Sequence, residues 1–131
     1  MKARILMAAA VATLALTGLA HAATAPAKPA TASNCFLTQN WQDWRGANPT
    51  TIYFRVNVRD IFKLDLASES NMVTDPSNHL ISESRGSSWV CNPIDLDLKI
   101  SDGHIVEPLF IKSITRLTAE QVAAIPKKDL P

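Results

Sequence analysis

The segment Ile94-Asp95-Leu96-Asp97-Leu98-Lys99-Ile100 has an apolar residue at every second position and a charged one between each pair. A helix turns about 100° per residue and would scatter these side chains around its circumference. A strand sends them alternately to two faces. The segment therefore predicts a half-buried strand, with Ile94, Leu96, Leu98 and Ile100 on the core face and Asp95, Asp97 and Lys99 in solvent. Asp102-Gly103 follows as a type I′ hairpin signal. His104 to Ile114 returns as the partner strand, and Pro108 demotes part of it to an edge or a bulge.

The same period recurs upstream. In Thr51 to Val58, Ile52, Phe54, Val56 and Val58 alternate with Tyr53, Arg55 and Asn57. In Ile61 to Leu66, Phe62, Leu64 and Leu66 point inward, and Lys63 and Asp65 outward. Two such runs with a short break predict an antiparallel hairpin. Its break, Arg59-Asp60, contains neither Gly nor Asn and so names no turn type. Positions 67–85 read as a long loop with a turn at Asp75-Pro76 and a short strand near His79–Glu83. Arg85-Gly86-Ser87-Ser88 breaks the chain again before a short strand, Ser88 to Cys91. Near the end, Thr118 and Gln121 have the spacing of a helix capping box, flanked by Leu117 and Val122 as a hydrophobic staple. Pro126 ends that helix by Ile125. Strands followed by one short C-terminal helix give an α+β class, mostly β, with a small antiparallel sheet of about five to six strands.

Residues 1–22 have the form of a secretory signal. Lys2 and Arg4 precede an apolar run from Ile5 to Leu19, and Ala20-His21-Ala22 is an A-x-A cleavage site. The run is shorter than the roughly 20 residues a membrane-spanning helix needs. Cleavage after Ala22 would leave no stable membrane anchor and would deliver the chain to the periplasm or the medium. It would also remove Lys2 and Arg4, turning the formal charge of +1 into −1. Residues 23–33 (ATAPAKPATAS) have no large apolar side chain to offset their ordering entropy and read as a flexible tether. The folded domain is expected over 34–125, with 126–131 as a frayed tail.

A domain of this size has a limited core, and secreted domains often add disulfides. Cys35 and Cys91 are the only two cysteines. A bond between them would close a loop of about 57 residues and contribute roughly 4 kcal/mol by the chain-entropy model. The alternative is a pair of free or redox-active thiols, although catalytic pairs usually stand as C-x-x-C.

Near-neutral charge carries no nucleic-acid signature. No P-loop, dinucleotide fingerprint, nucleophile elbow or H-E-x-x-H spacing occurs, so no catalytic residue, metal site or cofactor is assigned. Asp95 and Asp97 sit about 7 Å apart along one strand face. With His104 they are the best candidates for metal-dependent or hydrolytic chemistry, but Lys99 continues their face and fits an ordinary solvated one. Trp41, Trp44 and Arg45, in the run WQDWR, are the richest aromatic cluster. They read either as a partner surface, where Trp and Arg are enriched, or as caps on the end of a small core.

Several of these segments, in this order, resemble a known family. They are Cys35-Phe36, Trp44-Arg45, the strand Thr51–Val58 and Lys63-Leu64-Asp65-Leu66. Gly86-Ser87-Ser88-Trp89-Val90-Cys91, Ile94-Asp95-Leu96 and the run Ile111 to Thr118 complete the set. Together they resemble the domain-of-unknown-function family 6491, small exported proteobacterial proteins, over Cys35–Ile125. That family's pattern has four cysteines. Its first and third match Cys35 and Cys91, while its second, near 68–71, and its fourth, near Leu109, are absent here. Loss of both together is what a variant with one bond would look like, so the resemblance implies a Cys35–Cys91 disulfide. It brings no activity and no catalytic residue.

The expected function is therefore an exported, non-enzymatic binding or envelope-interaction module. Its partner would be an envelope protein or a small ligand, met by a sheet face or by the Trp41/Trp44 surface. The alternative is a small enzyme using Asp95, Asp97 and His104.

Overall fold

The period-two segments become strands in the computed structural model, which describes residues 34–84 and 86–131. The signal peptide expected at 1–22 and the tether expected at 23–33 lie outside the described residues. In chain order, β1 (Phe36–Leu37) and a 3-10 turn (Thr38–Asn40) lead into β2 (Trp41–Asn48), β3 (Thr51–Val56) and β4 (Asp60–Leu66). A second 3-10 turn (Asn71–Thr74) precedes β5 (His79–Ser84) and β6 (Trp89–Val90). A third (Pro93–Asp95) opens β7 (Leu96–Ser101), followed by β8 (Val106–Leu109) and β9 (Ile111–Arg116). The chain closes with helix α1 (Ala119–Ala123) and a 3-10 turn (Lys127–Asp129). No helix among the described residues is long and apolar enough to cross a membrane.

The class is mostly β with one short helix, and every strand pairing is antiparallel. The strands divide into three sheets rather than one: β2-β3-β4-β9, β5-β7-β8 and the small pair β1-β6. A single residue, Phe110, separates β8 from β9, so the chain leaves the second sheet and enters the first almost without interruption. At that point the ladder between β4 and β9 shifts register after Asp65, and the Phe110 carbonyl accepts from the Ala67 N–H at 2.7 Å.

The inner faces of the two larger sheets supply the core, including Ile52, Phe54, Phe62, Leu64, Leu98 and Ile100, all buried. Phe36 and Val90, paired across β1-β6, and Val73 from the second 3-10 turn join the same cluster. Phe36 meets Phe62 with ring centroids 5.0 Å apart. One step beyond the Phe36–Val90 pair, Cys35 and Cys91 form a disulfide, their Cα atoms 4.1 Å apart. The bond thus fastens the small sheet that carries two core residues.

Several local expectations are corrected. Val58 is 82% exposed rather than inward, because Asn57 adopts φ 55° and starts the β3–β4 turn early. The turn therefore does contain an Asn in the left-handed region that Asn tolerates. Ile94 belongs to the 3-10 turn and is 76% exposed. Pro93 suits the start of that turn, and the Asp95 carboxylate holds it by accepting from the N–H groups of Cys91 (3.0 Å) and Asn92 (2.8 Å). The loop after β7 spans four residues, not two, since Ser101 pairs with Val106. The Asp102 carboxylate organises it by accepting from the N–H groups of His104 and Ile105, both at 2.8 Å. Finally, the tail expected to fray forms a turn lying against β2, with Leu130 half-buried and Pro131 buried.

The predicted capping box forms. The Gln121 N–H donates to Thr118 Oγ1 at 3.3 Å, and the Thr118 N–H donates to Gln121 Oε1 at 2.9 Å. A helix this short depends on packing. The Leu117 N–H donates to the Ile61 carbonyl at 2.9 Å, which seats the helix start beside the first residues of β4. Ile61 and Ile125 are buried outside the main core cluster.

Candidate binding surface

With Leu98 and Ile100 committed to the core, alternation turns Asp97 and Lys99 of β7 to the opposite face. Register carries their neighbours with them: Ile81 and Pro108 flank Lys99, and Glu83 lies opposite Asp97. Lys99 Nζ meets Glu83 Oε2 at 3.1 Å. At one end of this face, Ile94 from the 3-10 turn and Phe110 from the β8–β9 junction border an open cleft of about 380 Å³ that Pro93, Asp97 and Pro108 also line. Phe110 is 63% exposed. At the other end, Ile105 and Val106 are exposed as well.

This distribution is uneven. Among the described residues, the large apolar side chains left in water are Ile81, Ile94, Ile105, Val106 and Phe110 on this sheet and its two ends, and elsewhere only Val58 and Trp89. Single exposed hydrophobes are ordinary, whereas a concentration on one face rimmed by polar groups marks interaction surfaces. Burying a side chain such as Phe110 is worth roughly 1.5–3 kcal/mol. Sequence reasoning missed Ile94, Ile105, Val106 and Phe110. The signal was the runs Ile105-Val106 and Leu109-Phe110-Ile111, since consecutive apolar residues on a strand cannot all face inward.

Trp41 and Trp44 take a different place. Trp41 stacks on Phe54 with centroids 4.1 Å apart and planes 26° from parallel. Both indoles are half-buried and pack against the core. Their spacing does not fit a period of two, but a bulge between Trp41 and Asp43 brings both to the inner face, opposite Val56 and Phe54. Arg45 pairs with Tyr53 on the outer face. Its Nε is buried and has no hydrogen-bond partner among the described residues.

The candidate acidic and histidine residues are not gathered. Backbone N–H groups of Cys91 and Asn92 hold the Asp95 carboxyl below its ordinary range, as an acceptor that fixes a turn. Asp97 stands on β7 opposite Glu83. His104 is exposed in the loop beyond the far end of β7, so the length of that strand, about 20 Å, separates it from Asp95. No group of three His, Cys, Asp or Glu residues able to hold a metal ion occurs among the described residues. This placement lends no support to the enzymatic alternative.

No family model, no curated protein and no solved structure matches the chain.

Proposed function

We propose that this chain is an exported, non-enzymatic module of the periplasm or the medium that binds an envelope protein through the outer face of the β5-β7-β8 sheet. The concentration of exposed apolar side chains on that face carries the proposal. Export is supported by the signal-like residues 1–22 and by a disulfide that persists in oxidising compartments. The two indoles, Trp41 and Trp44, are better accounted for as core packing.

The test is site-specific photocrosslinking in cells that produce the full chain, with fractionation. A photoreactive side chain at Phe110 should give a discrete adduct with an envelope protein. The same group at Val58, exposed but remote from the face, should not. The exported form should begin at Ala23. Absence of any Phe110 adduct, or an unprocessed chain confined to the cytosol, would overturn the proposal.

A further inference from the structure

An open sheet edge is a row of unpaired backbone donors and acceptors, and folds usually blunt it with a bulge, a proline, a lysine or a cap. Three of the edges of the two larger sheets are blunted in this way. β2 carries two register shifts, and the Asp43 carboxylate accepts from its Trp44 N–H at 2.8 Å. On β9 the Asn34 side chain accepts from the Arg116 N–H at 3.1 Å. β8 contains Pro108, which has no N–H to offer. The remaining edge, β5, runs for six residues with no proline, lysine or register shift.

Pro108 also fixes which groups β5 turns outward. A residue without an N–H cannot exchange both hydrogen bonds with its partner, so Lys99–Pro108 is a non-hydrogen-bonded pair. Leu98 and Ile100 therefore bond to β8, while Asp97, Lys99 and Ser101 bond to Glu83, Ile81 and His79 of β5. The backbone N–H and C=O groups of Leu80 and Ser82 are left facing away from β7, and no other group among the described residues takes them up.

We infer that this edge is taken by β5 of a second copy of this chain, antiparallel about a two-fold axis at Ile81. The strand is self-complementary in that register. A Leu80–Ser82 pair occurs on each side of the axis, and each exchanges both N–H···O bonds. On the outer face Ile81, 37% exposed, meets its own counterpart in a non-hydrogen-bonded pair, where side chains come closest. His79 meets Glu83 of the second copy, again once on each side. Lys99 engages one oxygen of the Glu83 carboxylate, and that side chain remains 61% exposed. Moving the axis to Leu80 or to Ser82 sets Ile81 opposite His79 or Glu83 and loses these matches. The product is one six-stranded sheet, β8-β7-β5 continued by the same three strands of the second copy. The inference does not depend on what binds the outer face.

Sedimentation equilibrium over a concentration series, on protein recovered from cells that produce the full chain, tests this. The parent should pass from monomer to dimer and no further, because a two-fold contact between like edges closes on itself. Ile81→Glu sets two carboxylates against each other on the axis and should abolish the dimer while the thermal midpoint of the dilute protein stays in place. Ser82→Pro removes an outward N–H that β7 does not use and should abolish it too. His79→Lys should tighten the dimer and His79→Glu weaken it, each by about threefold or more, since each acts twice against Glu83. Ile81→Cys should give a disulfide-linked dimer in air, whereas Val58→Cys, exposed but remote from the edge, should not; the native cysteines are already paired with each other. A protein monomeric throughout the series, assembly beyond the dimer, a dimer that survives both Ile81→Glu and Ser82→Pro, or the same affinity in both His79 variants overturns the inference. A dimer that Phe110→Ser abolishes and Ile81→Glu leaves intact would place the contact on the outer face and overturn it as well.

Discussion

Gly46 of β2 lies directly beneath the carbonyl of Val73, so close that a Cβ at Gly46 would overlap that oxygen. Gly46 pairs with buried Ile52 and so faces inward, where the 3-10 turn Asn71–Thr74 settles onto the sheet and contributes Val73 to the core. The obstacle is backbone and cannot rotate away. Gly46→Ala should therefore lift the turn and destabilise the fold by about 1–3 kcal/mol, the usual cost of overpacking. Urea denaturation monitored by tryptophan fluorescence measures it. A midpoint unchanged from the parent would mean that the turn is not held there.

The strands were legible where one face is core and the other solvent. Ile52, Phe54, Phe62, Leu64, Leu98 and Ile100 all face inward as their alternation predicts. The helix cap was legible because it is local, needing only Thr118 and Gln121 at the right spacing. Three kinds of feature were hidden. The bulge that turns Trp41 and Trp44 to the same side breaks the period, so β2 does not read as a strand. The early turn at Asn57 depends on one residue's left-handed backbone. The division into separate sheets depends on a break at Phe110, inside an apolar run that reads as continuous strand. The exposed face was hidden for the same reason, because only tertiary pairing reveals which of Leu109, Phe110 and Ile111 remains in water.

Replacing both cysteines with serine should cost about 4 kcal/mol by the chain-entropy model. The bond spans 56 positions of sequence and fastens the β1-β6 pair, whose Phe36 and Val90 belong to the core. Urea midpoints should fall when the parent protein is reduced with dithiothreitol and should be indifferent to it in the double variant. A parent protein equally stable with and without the reductant would contradict this role.

Asn57 joins β3 to β4 at φ 55°, donating its N–H to the Asn40 carbonyl at 2.8 Å. A β-branched residue strongly resists this conformation, which costs roughly 1–2 kcal/mol for ordinary L-residues. Asn57→Val should destabilise by at least about that amount, whereas Asn57→Gly should stay close to the parent. Thermal midpoints of the two variants decide it, and equal midpoints would argue against a left-handed turn residue.

Thr118→Ala removes the side-chain acceptor for the Gln121 N–H. It should cost about 1 kcal/mol, typical of a lost N-cap. Thr118→Ser, which keeps the hydroxyl, should recover most of that loss. The comparison is again by urea midpoint, and equal effects of the two substitutions would show that the hydroxyl is not the contributing group.

Asp65 should give the protein part of its resistance to acid. Partial burial raises its pKa, but hydrogen bonds from Lys63 and Ser113 and the charges of Lys63 and Lys112 outweigh this and hold it below the ordinary value of 3.8. Lys63 Nζ lies 2.8 Å from one carboxylate oxygen, and Ser113 Oγ donates to the other at 2.9 Å. A carboxyl whose pKa is depressed in the folded state binds protons more readily when unfolded. Its contribution is therefore fully present above 3.8 and is lost as the pH falls through the lower folded value. Asp65→Asn removes the titrating group. The variant should be less stable than the parent at neutral pH, and the gap should narrow on acidification below that value. The side chains are about one-third exposed, so solvent and salt screen the pair, and the effect should shrink in high salt. Urea midpoints of parent and variant across the acid range test this, and a gap that stays constant down to the lowest pH would mean that the Asp65 carboxylate contributes nothing through its charge.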